Sequence, residues 1–421
     1  MSQRILIRGA TFENKGAEAM IRSVQSGIIA AIPDAVGLLD LTRGAEWSPA
    51  QLRGLEPRAG LRYHGRGRQI IATVVGGVGR IISPRAALRC VEAVTGVDAR
   101  IDFLVDITGY GVGDVWTRTG AKGLVVSSLM DDVKLLAMAD VPSIYLPQAW
   151  GPFRKWQSRR SADQLLRSAM RLYARDRESL EWLKTLPSCT PEKVSLASDI
   201  AFSFEGAPRE VGRELLENIG IPLDEAPLVG IVPNMRVYER TPGEGRENTY
   251  VDQLISVARH FAGELGCQVV VMPHEIKQRP AEVPDDRYLC GVITEALSSS
   301  GNLCAALNDY SAEQLKAMIG EIDLLISSRF HSIVAAMSLR VPVVSIAWAH
   351  KYRELMKSVG LREYVLEHNG LDDGMVVDMC DQAWNRRQSI TESLEKHVPA
   401  HELSAVRVLN EAVALMKECL E

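Results

Sequence analysis

The chain of 421 residues has no surplus of basic charge, no paired cysteines and no long apolar run, and each absence removes a class of function. Its 48 lysines and arginines are outnumbered by 53 aspartates and glutamates, leaving a net charge of -5. That balance argues against a general nucleic-acid binder. No uninterrupted apolar stretch is long enough to span a bilayer. The opening MSQRILIRGA lacks the basic, apolar and small-residue regions of a signal peptide. Seven cysteines (Cys90, Cys189, Cys267, Cys290, Cys304, Cys380 and Cys419) stand singly, with no CxxC pair. Odd number and wide spacing read as reduced thiols, not as a disulfide frame or a zinc site. A cytoplasmic protein is expected.

What is there is a core large enough for two domains. Hydrophobic residues make up 46% of the chain and charged residues 24%, and the length exceeds one ordinary domain. Short apolar runs alternate with amphipathic stretches, the pattern of parallel strands covered by helices. The first series of strands is read at 4–9, 102–108, 143–148, 172–175 and 193–199, with helices at 17–32 and 179–186. A polar segment, 205–226, separates it from a second series. That series has strands at 228–234, 268–274, 322–328 and 341–348, and helices at 249–265, 311–321 and 332–339. Each series suggests a Rossmann-like open sheet. The expected fold is therefore α/β, two Rossmann-like domains facing a cleft, a glycosyltransferase-B-like architecture. The boundaries are read as an N-terminal domain over 1–205, a C-terminal domain over 227–395, and a final helix within 396–421 packing across the junction.

One segment departs from the acidic balance. Between Pro57 and Val91 there are seven arginines, Arg58, Arg62, Arg66, Arg68, Arg80, Arg85 and Arg89, and no acid. It reads either as a solvated basic loop or as a patch for anionic lipid head groups or a lipid-diphosphate carrier, which would put the protein peripherally on the inner face of the membrane.

The stretch ISSRFHSIVAAMSLRVPVVSIAWAHK, 326–351, carries the clearest chemistry. Ligands of open parallel sheets bind beyond the carboxyl ends of the strands. Arg329 and His331 fall there, at a strand-to-helix turn whose free N–H groups favour anions. An arginine fork matches phosphate or carboxylate, and a histidine can move a proton near neutral pH. The alternative pairs Arg329 with a local acid and makes His331 a packing residue at the helix start.

The run SSRFHSIVAAMSLRVPVVSIAWAHKYRELMKSVGL resembles the C-terminal signature of the polysaccharide pyruvyl transferase family. So, in order, do RGATFENKGAEAM near the start, DITGYGVGD (106–114), LPQAWGPF (146–153), YARDRESLEWL (173–183) and ASDIAFSF (197–204). The resemblance implies transfer of a pyruvyl group from phosphoenolpyruvate to two hydroxyls of a sugar or lipid-linked glycan precursor. The product is a pyruvate ketal in cell-surface polysaccharide. It implies phosphoenolpyruvate as co-substrate; no metal-ligand cluster is evident in the sequence, and no resident cofactor is expected. It also implies Arg236 and Arg329 as donor-binding arginines, Lys351 beside the leaving phosphate, and His331 as the catalytic acid–base group. Asn14, Gly16 and Glu18 would bond the sugar or cap the first helix. Two departures stand out. Ala17 replaces an aspartate common in part of the family, and AWAH (347–350) replaces the usual Asp-Pro before the lysine, leaving His350 as a rival to His331. The readings to be set against this one are a nucleotide-sugar-dependent glycosyltransferase of the same architecture and a non-catalytic glycan-binding homologue. A thermal shift with phosphoenolpyruvate against nucleotide sugars separates them.

Overall fold

A computed structural model describes residues 2–9, 11–41, 47–59, 90, 100–114, 140–278, 284–298, 301–371 and 374–420. Arg62, Arg66, Arg68, Arg80, Arg85 and Arg89 of the basic segment lie outside the described residues. Arg58 lies within them and is buried, 3.9 Å from Asp40.

The chain divides into two compact units. The first comprises residues 1–12, 20–200 and 404–421, the second residues 13–19 and 201–403. The long helix Arg387–Leu420 thus begins in one unit and ends in the other, as does the helix Lys15–Gly27.

In the first unit, β1 (Gln3–Arg8), β2 (Ala35–Leu41), β3 (Glu56–Ala59), β4 (Phe103–Asp106), β5 (Ser143–Gln148), β6 (Arg171–Ala174) and β7 (Val194–Leu196) form one sheet. Its order is β3-β2-β1-β4-β5-β6-β7, and every pairing is parallel. A parallel sheet is covered on both faces, so its central strands are apolar throughout. Phe103, Leu104 and Val105 of β4 and Ile144 of β5 are wholly buried.

In the second unit, β8 (Leu228–Val232), β9 (Gln268–Val271), β10 (Leu303–Ala305), β11 (Leu324–Ser327), β12 (Val343–Ala347) and β13 (Val365–Glu367) pair in the order β10-β9-β8-β11-β12-β13. These pairings are parallel as well. In both sheets the order reverses beside the first strand, the topological switch point at which open α/β sheets bind ligands. In the second sheet that point lies between β8 and β11, which pair through Ile326 with Ile231 and Ser327 with Val232.

The strands expected from apolar runs are present, most of them a residue or more shorter than read. The first helix starts earlier than expected, at Lys15, and ends at Gly27, before a separate 3-10 turn over Ile29–Ala31. The reading of 249–265 as one helix covers an α-helix, Thr249–Arg259, and a π turn, His260–Glu264. The segment read as merely polar, 205–226, contains the helix Arg209–Asn218, whose Gly212 and Leu216 are buried.

Candidate active site

The site is built from the loops that follow β8, β9 and β11, together with the segment 13–19. All of these belong to the second unit. Apolar β11 ends at Ser327, and the helix Phe330–Ser338 begins three residues later. Small hydroxyls lock this tight turn. The Oγ of Ser327 accepts from the Arg329 amide at 2.9 Å, and Ser332 Oγ donates to the Arg329 carbonyl at 2.8 Å. The neighbouring Ser328 is clamped from two sides. Its carbonyl accepts from Asn234 Nδ2 at 2.7 Å and from the Tyr352 hydroxyl at 2.8 Å.

Arg329 sits at this turn, 7% exposed, with its guanidinium forked between two acids. Nη1 donates to Glu275 at 2.8 Å and Nη2 donates to Asp286. Arg329 is thus paired with acids, as the alternative expectation had it, although they come from the loop after β9 and from the start of the helix Asp286–Ala296, not from nearby in the chain. Burial alone would favour the uncharged guanidine, but the charges of Asp286 and Glu275 outweigh it and raise the Arg329 pKa further. Asp286 is fully buried and accepts backbone N–H bonds from Met235 (3.1 Å), His274 (3.2 Å) and Glu275 (2.8 Å). One carboxylate thereby ties the ends of β8 and β9 to the arginine.

The N-terminal motif is built into the same place. Residue 14 bridges to residue 275 in antiparallel fashion, and the Lys15 amide donates to the His274 carbonyl at 3.0 Å. Gly16 then lies against the ring of His331. A Cβ on Gly16 would stand 2.1 Å from the His331 Nδ1, a distance at which no side chain fits. Asn14 caps the helix, its Oδ1 accepting from the amides of Gly16 (3.0 Å) and Ala17 (3.2 Å). Glu18 is buried 3.4 Å from the Lys15 ammonium, which also bonds Asp309 at 2.6 Å.

His331 is half-buried beside a small recess lined by Lys15, Gly16, His274, Lys316 and Ala335, among others. Its volume of about 20 Å³ suits a water. The His274 pKa is depressed well below the usual range, first by burial and then by the charges of Arg329, His331 and Lys15, which keeps this imidazole neutral. Lys316 donates to the Phe204 carbonyl with its ammonium over the Phe204 ring, 5.6 Å from the centroid.

Arg236 follows β8, is exposed, and pairs with Glu239 at 3.2 Å, one helical turn on. The ammonium of Lys351 stands over three rings, Phe330 (5.1 Å), Trp348 (5.1 Å) and Tyr352 (5.5 Å). Phe330 in turn meets the His331 ring edge-on at 5.3 Å. His350 opens the helix His350–Ser358 and is half-buried. In the first unit, Arg175 and Asp176 of YARDRESLEWL, two adjacent residues whose opposite charges suggest an ion pair, have separate partners: Arg175 bonds Asp199 at 2.8 Å, while Asp176 caps the helix Arg177–Lys184 through the Ser179 amide.

Sequence reasoning missed Lys15, His274, Glu275 and Asp286. A signal for two of them was present: His274 and Glu275 end the apolar run QVVVMPHE much as Arg329 and His331 follow LLISS.

The sequence profile of polysaccharide pyruvyl transferases matches residues 126–350, more than half of the chain. The chain belongs to the polysaccharide pyruvyl transferase family. Arg236, Glu275, Asp286, Arg329 and His331 all lie inside the part that this pyruvyl transferase profile matches. A curated relative, the amylovoran biosynthesis protein AmsJ of Erwinia amylovora, is 20% identical over 262 residues. The match covers 62% of this chain and 62% of the relative, so the chain spans less than two thirds of that protein's length. Solved structures of similar fold include the UDP-GlcNAc 2-epimerase of Neisseria meningitidis, with a TM-score of 0.57 and 13% identity over 98% of this chain and 100% of that one. A putative UDP-N-acetylglucosamine 2-epimerase of Listeria monocytogenes has a TM-score of 0.60 and 11% identity over 100% and 97%. At such identities the likeness is one of fold: the pyruvyl transferase chain has the glycosyltransferase-B-like α/β fold of two Rossmann-like units. Among the described residues no helix is long and apolar enough to cross a membrane.

Proposed function

We propose that the protein transfers the pyruvyl group of phosphoenolpyruvate to two hydroxyls of a saccharide or lipid-linked glycan, forming a pyruvate ketal during exopolysaccharide assembly. Family membership supports the transferase class, and the relative named for amylovoran biosynthesis supports the polysaccharide setting. The observation that carries the reading is the seating of Gly16 against His331. It places the N-terminal motif and the arginine–histidine turn at one point, beyond the carboxyl ends of the strands.

The chemistry asks little beyond what stands there. Protonation of the enol carbon builds positive charge on the carbon that bears the phosphate. A sugar hydroxyl attacks that carbon, phosphate leaves, and a second hydroxyl closes the ketal. Two protons leave the hydroxyls, one going to the enol carbon and one to the phosphate, and no water is consumed. His331 is the proton-transfer group in this reading. Arg329 and Arg236 attract the donor's carboxylate and phosphate, and Lys351, caged by aromatic rings, adds positive charge near the phosphate. Asn14 and Glu18 hold the Gly16 turn in place through the helix start. No resident metal or organic cofactor enters the reaction.

The test is incubation of the purified protein with phosphoenolpyruvate and a panel of free and lipid-linked glycans, followed by mass spectrometry. The expected product is a glycan heavier by one pyruvic acid less one water, with one phosphate released per ketal. Turnover of a nucleotide sugar, with phosphoenolpyruvate left intact, sinks the reading in favour of a glycosyltransferase.

A further inference from the structure

We propose that Glu275 competes with the donor for Arg329: its carboxylate holds the place that an anionic group of phosphoenolpyruvate takes. This rests on the donor reading given above. Arg329 carries one positive charge and faces two carboxylates, and the two are not equivalent. Asp286 has a fully buried side chain, and three backbone amides bond it in addition to Arg329. That carboxylate cannot leave without unmaking the loops after β8 and β9, and it alone balances the guanidinium. Glu275 is the surplus charge. Its side chain is 18% exposed and reaches Nη1 of Arg329.

The surroundings of the Glu275 carboxylate resemble a binding site for a small anion. Burial works to raise its pKa, but the charge and hydrogen bond of Arg329 overcome this, with Lys277 and Arg236 acting in the same direction, and the net shift is downward. Three cations from three different strand ends therefore act on one carboxylate, the group that phosphoenolpyruvate itself carries. The Glu275 backbone is held by the bond from its amide to Asp286 and by the bridge to Asn14. Rotation of the side chain alone can thus vacate the position without moving the loop. A neutral sugar gains nothing from displacing Glu275, whereas a small phosphorylated carboxylic acid does, so the exchange favours the donor class at this position.

Calorimetric titration of the full chain with phosphoenolpyruvate, at fixed salt and neutral pH, tests the exchange in the wild type, Glu275→Gln and Glu275→Ala. Loss of the internal competitor is expected to tighten donor binding about tenfold in both variants, the lower end of what one charge-assisted contact provides. Unchanged or weaker binding in both, with the wild type still binding, overturns the exchange alone. Absence of binding in all three proteins overturns the donor reading and the exchange with it. Melting curves accompany the titrations: if neither variant folds, Glu275 is a structural clamp and the proposal is wrong.

Discussion

Gly16 and His331, 315 positions apart in sequence, touch so closely that no side chain can stand at position 16 without moving the imidazole. Glycine is needed here for space, because the position faces the ring of His331, the proton-transfer group of the proposed reaction. Gly16→Ala is expected to push the His331 ring aside at a cost of about 1–3 kcal/mol. Turnover should fall about 10²-fold through misplacement of the proton-transfer group. Steady-state kinetics beside a thermal melt check this, and full turnover in a folded Gly16→Ala protein would show that the ring position is immaterial.

Arg329 and Arg236 should separate stability from donor binding. Arg329→Ala leaves Asp286 buried without its counter-charge, and the expected loss is about 3–5 kcal/mol of folding stability. Arg236 is exposed and pairs with Glu239 one helical turn on. Arg236→Ala should therefore leave stability within about 0.5 kcal/mol, yet weaken phosphoenolpyruvate binding by about 1.5 kcal/mol. Denaturant melts and calorimetry on both variants give the two numbers, and the reverse pattern contradicts the assignment.

The buried amine of Lys316 gives a pH signature. Burial depresses its pKa from the ordinary 10.5 to about 8, with Glu402 and Glu205 opposing the shift and Arg340 adding to it. Between about 8 and 10.5 the unfolded chain binds the extra proton, so this group makes stability rise with pH across that window and contributes no slope below it. Lys316→Met should remove that slope. Unfolding free energies for both proteins at several pH values from 7 to 10, compared as differences to cancel other titrating groups, decide it; a constant difference rules out the buried-amine account.

Much of the fold was legible because buried parallel strands are apolar on both faces. LVGIV, QVVV, LLIS and VVSIA stand out as continuous runs. The edge strands were less legible: β7 fell within the strand read at 193–199, but EPRA of β3 and VLE of β13 carry no run and are strands by virtue of a neighbour. The position of Arg329 and His331 at a strand's carboxyl end followed from the sequence as well. The identity of their partners did not. Spacing cannot show that Glu275 and Asp286 close on Arg329, or that a turn at residues 14–16 bridges to the end of β9, because these are long-range pairings fixed by the order of the sheet.

In the proposed reaction His331, and not His350, moves the proton. Phosphate release from phosphoenolpyruvate on an accepted glycan, measured in parallel for the wild type, His331→Asn and His350→Asn, tests it most directly. His331→Asn is expected to fold, keep most of its donor affinity and turn over about 10²-fold more slowly or worse, while His350→Asn stays close to the wild type. Loss of turnover in His350→Asn with His331→Asn unaffected would contradict it.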